Sequence, residues 1–291
     1  MQMNHITPAG RVFSVLNYVV LTILAATMIL PLLHVVAQSF SADAAINSGQ
    51  VTLWPVQFTL ENYQLILKDG SVWRSFSVSL FITVVGTIIN LIATAALAYP
   101  LSRPEYAGRT YVLLMVLVTL IFQAPLIPNY LLVKNLHLLD TVWALIIPSA
   151  ISAYNLFVMR SFFVNLPNEL IDCARMDGCG EMRIVWSIVL PLSKPAMATM
   201  GLFYAVSHWN TYSNALYYIN NRALYPLQVR LREIVITDFF GSSDQLSQFT
   251  NTSPEGIKMA IITVATIPIM MVYPFLQRYF VKGMLIGSIK S

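Results

Sequence analysis

The stretch that decides the fold is NLPNELIDCARMDGCGEMRIVWSIVLPLSKP, from Asn165 to Pro195, a polar interruption between two hydrophobic segments. Pro167 and Asn168 suit a helix start, because proline loses no hydrogen bond there and an asparagine side chain can accept one from a free N–H. Gly178 suits the position just past a helix end, where a left-handed conformation is needed. The stretch therefore predicts a hairpin of two short amphipathic helices.

The second helix of this hairpin is predicted to begin near Glu181 and to stop at Pro191, because proline interrupts a helix. Pro195 then opens the next hydrophobic segment. Four apolar residues recur at helical spacing and are expected to form one stripe: Met182, Val185, Trp186 and Val189. Hydrophobic segments flank the hairpin, so we expect both of its ends to be fixed to the membrane.

The composition indicates an integral membrane protein. Of the 291 residues, 57% are hydrophobic and only 10% are charged, whereas soluble domains carry charge on about a quarter of their residues. The net charge of +4 is ordinary for a membrane protein and gives no indication of nucleic-acid binding. Both cysteines, Cys173 and Cys179, lie in the hairpin, and we expect inert thiols there rather than a metal site or a disulfide.

Hydrophobic segments long enough to span a membrane recur along the chain. We expect an all-α polytopic membrane protein with a single transmembrane domain over residues 1–291. The hairpin occupies the connecting loop 163–195. The six spans are placed at about 13–36, 74–100, 110–132, 141–162, 196–218 and 258–280, with outer loops at 39–73 and 219–257.

The distribution of Lys and Arg gives the orientation. With the N-terminus inside, ten of the 17 basic residues fall on the cytoplasmic side, so both termini and the hairpin are predicted to be cytoplasmic. No Asp, Glu, Lys or Arg lies in the middle of a predicted span. Carriers driven by proton or sodium gradients usually need such groups, so their absence weighs against such a carrier and leaves the energy source to be supplied by something else.

The hairpin resembles the signature loop of ABC-importer permeases, whose pattern is Glu-Ala-Ala-x3-Gly-x9-Ile-x-Leu-Pro. This sequence has Asp172-Cys173-Ala174, three residues, Gly178, nine residues, and then Ile188-Val189-Leu190-Pro191. Asp172 replaces the glutamate of the pattern and keeps its charge, and Cys173 replaces the first alanine and keeps a small size. Further matches are similar to the carbohydrate branch, the smaller maltose-type permease and the complex-oligosaccharide and polysaccharide subgroup: Phe58–Tyr63, Leu166-Pro167, Arg175–Gly178, Leu190–Pro195, Trp209-Asn210 and Tyr225–Leu227.

The resemblance implies a permease subunit of an ATP-driven importer in the bacterial cytoplasmic (inner) membrane. Such a subunit forms half of a translocation path with a second permease, and two cytoplasmic ATPase subunits use ATP and Mg. An extracytoplasmic solute-binding protein delivers the glycan. The chain itself is then expected to be non-catalytic, with membrane lipid around it and no bound cofactor, metal or nucleic acid.

In this family the signature loop docks on the ATPase and transmits its closure to the spans. The resemblance therefore implies that residues of the hairpin couple ATP hydrolysis to transport. Asp177 leaves two alternatives open: it caps the second helix or pairs with a nearby base, or it bonds to a partner or neighbouring loop. The coupling residues expected are Glu169, Leu170, Asp172, Ala174, Asp177, Gly178, Met182 and Trp186.

The fifth span is rich in polar and aromatic residues and is the candidate substrate path. Its members are His208, Trp209, Asn210, Tyr212, Asn214 and Tyr217. The spacing of 210, 214 and 217 predicts one helical face. Hydrogen bonding between helices of the bundle would use the same residue types and is the alternative.

Three arginines, Arg222, Arg230 and Arg232, lie in the outer loop 219–257. They could attract an acidic (uronate) glycan, or contact acidic patches on the binding protein, which is the favoured reading. Another solute class such as peptides is the alternative cargo, since the signature loop is shared across those branches. A membrane-embedded enzyme would need clustered acid, base or metal groups, and the sequence has none inside its spans. A self-contained channel would leave the hairpin unexplained.

Overall fold

The computed structural model describes residues 8–236 and 255–271. Within these ranges the regular elements are helices, with an isolated β-bridge between Ser41 and Phe58. In chain order they are α1 (Pro8–Ser39), α2 (Asp43–Asn47), α3 (Glu61–Lys68), α4 (Gly70–Ser102), α5 (Arg109–Ile121), α6 (Leu126–Asn135), α7 (Trp143–Ile146), α8 (Ala153–Val164), α9 (Asn168–Met176), α10 (Glu181–Ile184), α11 (Leu190–Leu192), α12 (Lys194–Trp209), α13 (Ser213–Tyr218), α14 (Leu227–Ile236) and α15 (255–271).

Two of these helices, α1 and α4, are individually long and apolar enough to cross a membrane. Two further candidates are bent pairs. Trp143–Ser149 meets α8 at 52°, and Glu181–Leu192 meets α12 at 84°. The described residues therefore contain two helices of spanning character, or four if each bent pair is one span, and the count of six stays a prediction.

The predicted third span, 110–132, is divided between α5 and α6. The helix ends at Phe122, whose backbone is extended, and Pro125 precedes the first residue of α6. Proline disfavours helical geometry in the residue before it, which explains the break. The predicted sixth span, 258–280, lies partly outside the described residues, and its first part falls in α15.

The second helix of the hairpin was predicted to stop at Pro191, and helical structure ends one residue later, at Leu192. α10 continues through a π-helical turn at Val185–Val189 into α11, and the chain bends at Ser193. The wider π-helical turn shifts the carbonyls that a proline ring would otherwise strike, so helical structure passes through Pro191.

One compact unit comprises Gly70–Arg232 together with the described residues from Ile267 onward. In it α8 and α12 both pack along α4. The core beside the hairpin includes Leu101 of α4, Phe163 of α8 and Ile171 of α9, all buried. A second core, around Ile82, surrounds the other half of α4. Both the hairpin and the bent helices are thus packed around one long helix.

The other unit comprises the described residues up to Asp69 and those of 233–266. Most side chains of α1 are exposed, as expected for a helix in contact with lipid. Its end is fixed by a small cluster that includes Ala37 and Ile46. Phe40 stacks on Phe58 and on Tyr63, which closes the segment after α1 against α3.

Candidate coupling site and substrate path

The turn of the hairpin is formed as the sequence predicted. Gly178 has φ +77°, and its N–H and that of Cys179 donate to the carbonyls of Arg175 and Ala174 at 3.0 and 2.9 Å. A residue with a Cβ would be strained in this left-handed conformation. α9 therefore ends here, and α10 begins three residues later at Glu181.

The hairpin has a buried and an exposed side, and they divide the predicted coupling residues. Ala174 is only 7% exposed and belongs to the core with α4 and α8, so it lies on the buried side, and its role in coupling stays a prediction. Met182 is 73% exposed and Trp186 59% exposed. The remaining members are also exposed: Glu169, Leu170, Asp172, Asp177 and Gly178.

The predicted apolar stripe of the second helix is not a single face. Val189 is fully buried and Val185 is half-buried, whereas Met182 and Trp186 point outward. Ile184, which the stripe omitted, is buried instead. The π-helical turn adds a residue to the helix between these positions, and this rotates the residues after it relative to those before it.

Asp177 makes neither of its predicted local contacts. Gly180 is the N-cap of α10, and in the described part of the chain no hydrogen bond or ion pair joins Asp177 to α10 or to a base. Its carboxylate is exposed. Its contact with a partner or a neighbouring loop stays a prediction.

An ionic network, which the sequence reading missed, joins the two hairpin helices to the end of α4. Arg175 Nε donates to Glu181 at 2.9 Å, and its Nη1 donates to Glu105 at 3.2 Å. The hydroxyl of Tyr99, in α4, donates to the other oxygen of Glu181 at 2.6 Å. The hydrogen bond from Tyr99, followed by Arg175, lowers the pKa of Glu181. The carboxylate is therefore held ionised between the two donors.

Arg103, just after α4, forms a second link and is buried, with 6% of its surface exposed. Nη1 donates to Asn168 Oδ1 at 3.2 Å, Nη2 donates to the carbonyl of Phe163 at 3.1 Å, and the guanidinium lies 5.2 Å from the centre of the Tyr99 ring. Asn168 does begin α9, but its side-chain oxygen accepts from Arg103 rather than capping the helix. The missed residues lie up to 82 positions apart in the chain, and the sequence signal for them was limited to the opposite charges of Glu105 and Arg175.

The predicted polar face of the fifth span is wrong. α12 ends at Trp209 and α13 begins at Ser213, so the helical spacing of 210, 214 and 217 does not cross the break. Asn210, Asn214 and Tyr217 are nonetheless exposed. His208 and Trp209 are buried, and Asn90 Nδ2 lies 3.1 Å from His208 Nε2.

The outer arginines are placed differently from one another. Arg222 is exposed, Arg230 donates to Ser71 at 2.9 Å, and Arg232 lies 4.8 Å from the centre of the Tyr212 ring. Tyr212 occupies the break between α12 and α13. One cation thus stands beside a predicted path residue. In the described residues no three His, Cys, Asp or Glu side chains come together as metal ligands.

Comparison with known proteins gives consistent matches over nearly the whole chain. Residues 72–286 match the family model described as binding-protein-dependent transport system inner membrane component. The chain is 46% identical to Protein LplC of Bacillus subtilis (strain 168) over 288 residues, covering 99% of this chain and 98% of that one. It is 44% identical to the polygalacturonan/rhamnogalacturonan transport system permease protein YtcP of the same organism, covering 97% and 99%.

A solved structure matches equally widely. It is a crystal structure of a bacterial ABC transporter involved in the import of the acidic polysaccharide alginate. The TM-score is 0.90 at 33% identity, with 94% of this chain and 98% of that chain covered.

Proposed function

The chain belongs to the family of binding-protein-dependent transport system inner membrane components and is a sugar ABC transporter permease, and we propose that it imports an acidic oligosaccharide or polysaccharide fragment. The observation that carries the proposal is the shared cargo chemistry of two relatives. One is named for polygalacturonan and rhamnogalacturonan, and the other imports alginate. All three polymers contain uronic acids.

Positive charge near the break after α12 supports this cargo. Arg232 is exposed above Tyr212, and Arg222 is exposed close by in sequence. Cations at the mouth of a path raise the local concentration of an anionic ligand. Contact with an acidic patch of the binding protein is the competing role of these arginines.

We infer that the exposed side of the hairpin contacts the ATPase subunits. Leu170, Met182 and Trp186 supply an apolar centre, and Glu169 and Asp177 supply a charged rim. Trp186 is the expected anchor, since exposed aromatic side chains dominate many interfaces. The ionic network and Arg103 would then pass movement of the hairpin to α4.

The proposed assembly contains this chain, a second and different permease, two ATPase subunits that use ATP and Mg, and a solute-binding protein outside the membrane. The hairpin and both termini of this chain would lie in the cytoplasm. The membrane is the inner membrane, in agreement with the family.

The test is co-purification of the assembly through a tag on this chain, followed by reconstitution and an ATPase assay with the binding protein. We expect oligogalacturonate or oligoalginate to stimulate ATP turnover, and a neutral maltooligosaccharide of the same length to stimulate it little. Failure to recover an ATPase partner would overturn the assembly. Stimulation by the neutral glycan alone would overturn the acidic cargo.

A further inference from the structure

The bent helix pair formed by Trp143–Ser149 and α8 contains irregular backbone within an otherwise apolar segment. Between Ser149 and α8 the residues 150–152 are not helical, and the two parts meet at 52°. Backbone polar groups at membrane depth need partners, so such breaks are found where protein or a water-filled cavity surrounds them. Both conditions are met at this break.

Side chains from the neighbouring helices supply the partners. Asn90 Nδ2, from α4, donates to the carbonyl of Ser149 at 3.2 Å. The hydroxyl of Tyr204, from α12, accepts from the N–H of Ser152 at 3.1 Å and bonds to Thr94 at 2.7 Å. The break is therefore built by three helices and held in one conformation.

A cavity of about 420 Å³ opens at the break. This volume lies in the range of about 300–1,000 Å³ found for small-molecule sites. Its polar lining includes Asn90, Asn155, Tyr204 and His208, all buried, and its aromatic lining includes Tyr154 and Phe203. The ring centres of these two aromatics are 6.4 Å apart. Amide groups beside aromatic faces suit the hydroxyls and C–H faces of a sugar ring.

The hydrogen-bonding states of the lining can be worked out from the contacts. Asn90 gives one amide hydrogen to the Ser149 carbonyl and the other to His208 Nε2, which fixes the imidazole as an acceptor at Nε2 and places its proton on Nδ1. Asn90 is 1% exposed, and its Oδ1 has no hydrogen-bond partner within the described chain. A buried acceptor without a donor is costly in a structural contact. This oxygen is closed off from the cavity as well, so Asn90 shapes the break and positions His208 and does not itself contact a ligand.

The first N–H groups of α8 face the same break. Ser152, its N-cap residue, makes no side-chain cap, and α8 is 12 residues long. Helix N-termini attract carboxylates. This gives the cavity one place for an anion beside several places for hydroxyls.

We propose that this cavity is a binding subsite for one sugar ring of the carried glycan, built within this permease subunit. The hydroxyls bind Asn155 and His208, and the ring packs against Tyr154 and Phe203. In an acidic glycan the carboxylate lies at the α8 N-terminus. The inference rests on the proposed function, because it takes the imported glycan as its ligand.

The experiment measures glycan-stimulated ATPase activity of the complete reconstituted transporter as a function of oligogalacturonate concentration. Asn155→Ala is expected to raise the half-stimulating concentration about tenfold, since it removes hydrogen bonds to the sugar. The matched control is Asn129→Ala, whose exposed side chain bonds to the carbonyl of Ala124 outside the cavity. This control is expected to behave as the wild type.

The outcomes separate the two proposals. A wild type that no acidic glycan stimulates refutes the proposed cargo. A wild type that responds, together with an Asn155→Ala variant of unchanged half-stimulating concentration, refutes the subsite alone.

A second measurement covers the case in which Asn155→Ala fails to assemble. With Cys173 and Cys179 changed to serine, Ile151→Cys places a thiol at the cavity and Tyr111→Cys places one on an exposed part of α5. Saturating oligogalacturonate is expected to slow maleimide labelling at 151 and leave labelling at 111 unchanged. Equal labelling rates at 151 with and without the glycan would overturn the subsite.

Discussion

Replacement of Arg103 by methionine is expected to uncouple ATP hydrolysis from transport. Arg103 joins α4 to the start of the hairpin through Asn168 and the Phe163 carbonyl. Methionine keeps most of the buried length of the side chain but removes the charge and every donor. The membrane core of the protein is otherwise untouched, so we expect the chain to insert and assemble.

The magnitude follows from the three lost contacts. Loss of the hydrogen bond from Arg103 to the Phe163 carbonyl costs about 1 kcal/mol, at the low end for a buried acceptor. The cost is low because this carbonyl still accepts a long 3.4 Å hydrogen bond from the N–H of Leu166. Exposed Asn168 is rehydrated, which limits that loss to about 0.5 kcal/mol. The contact with the Tyr99 ring contributes about 1 kcal/mol. Methionine also removes the cost of burying the Arg103 charge, whose Nε has no hydrogen-bond partner among the described residues. This gain offsets part of the three losses, so the link between α4 and the hairpin is weakened by about 2 kcal/mol.

A link weakened by about 2 kcal/mol changes the equilibrium between the linked and the unlinked hairpin about 30-fold in favour of the unlinked state. The assay is the ratio of glycan imported to ATP hydrolysed in proteoliposomes. We expect this ratio to fall several-fold while ATP turnover persists, with Arg103→Lys between the two because lysine keeps the charge but not the forked geometry. Arg109→Met, in the same loop region, is the control. An unchanged ratio in Arg103→Met would refute the mechanical role of this link.

Four further changes test other parts of the structure. Gly178→Pro cannot adopt φ +77° and is expected to leave the permease inserted but uncoupled, whereas Gly180→Pro, where φ is −70°, should transport normally; normal uptake by the Gly178 variant contradicts the hairpin mechanism. Trp186→Ala truncates a side chain that is 59% exposed, and should weaken binding of the ATPase by about 2 kcal/mol with a smaller effect on the stability of the permease; equal recovery of the ATPase would exclude Trp186 as an anchor. Gly86→Ala places a Cβ 2.6 Å from His208 Nε2 and should destabilise the detergent-solubilised protein by about 1–3 kcal/mol, whereas Gly70→Ala, with open space around it, should not. Arg232→Gln should raise the half-stimulating concentration of oligogalacturonate and not that of a neutral glycan, and an equal effect on both would assign Arg232 to the binding protein instead.

The ionic network also predicts a pH dependence of stability. The hydrogen bond from Tyr99 and the charge of Arg175 lower the pKa of Glu181 below its ordinary value of 4.5. A lowered carboxyl pKa means that the stabilisation is complete above pH 4.5 and is lost as the pH falls through the folded-state pKa. The melting temperature of Glu181→Gln should therefore lie below that of the wild type above pH 4.5 and approach it in more acidic solution. A constant difference at all pH values would contradict this assignment.

Local features of the hairpin could be predicted because their causes are local. Gly178 needs a left-handed conformation whatever surrounds it, and Glu181 begins a helix after a glycine. The π-helical turn inside the second helix was not predicted, for a reason that is not local. It spans Val185–Val189, and the packing of Ile184 and Val189 in the core accompanies it.

The sequence by itself determined that the chain is a helical membrane protein with a two-helix hairpin, because apolar length, charge depletion and turn residues act over short distances. Only the tertiary structure decided what the hairpin is attached to and where a sugar could bind. Tyr99 meets Glu181 and Asn90 meets His208 across 82 and 118 residues, and the packing of α8 and α12 against α4 creates both contacts. Pairings of this kind depend on which helix faces come together, and the spacing of residues along one helix does not specify that.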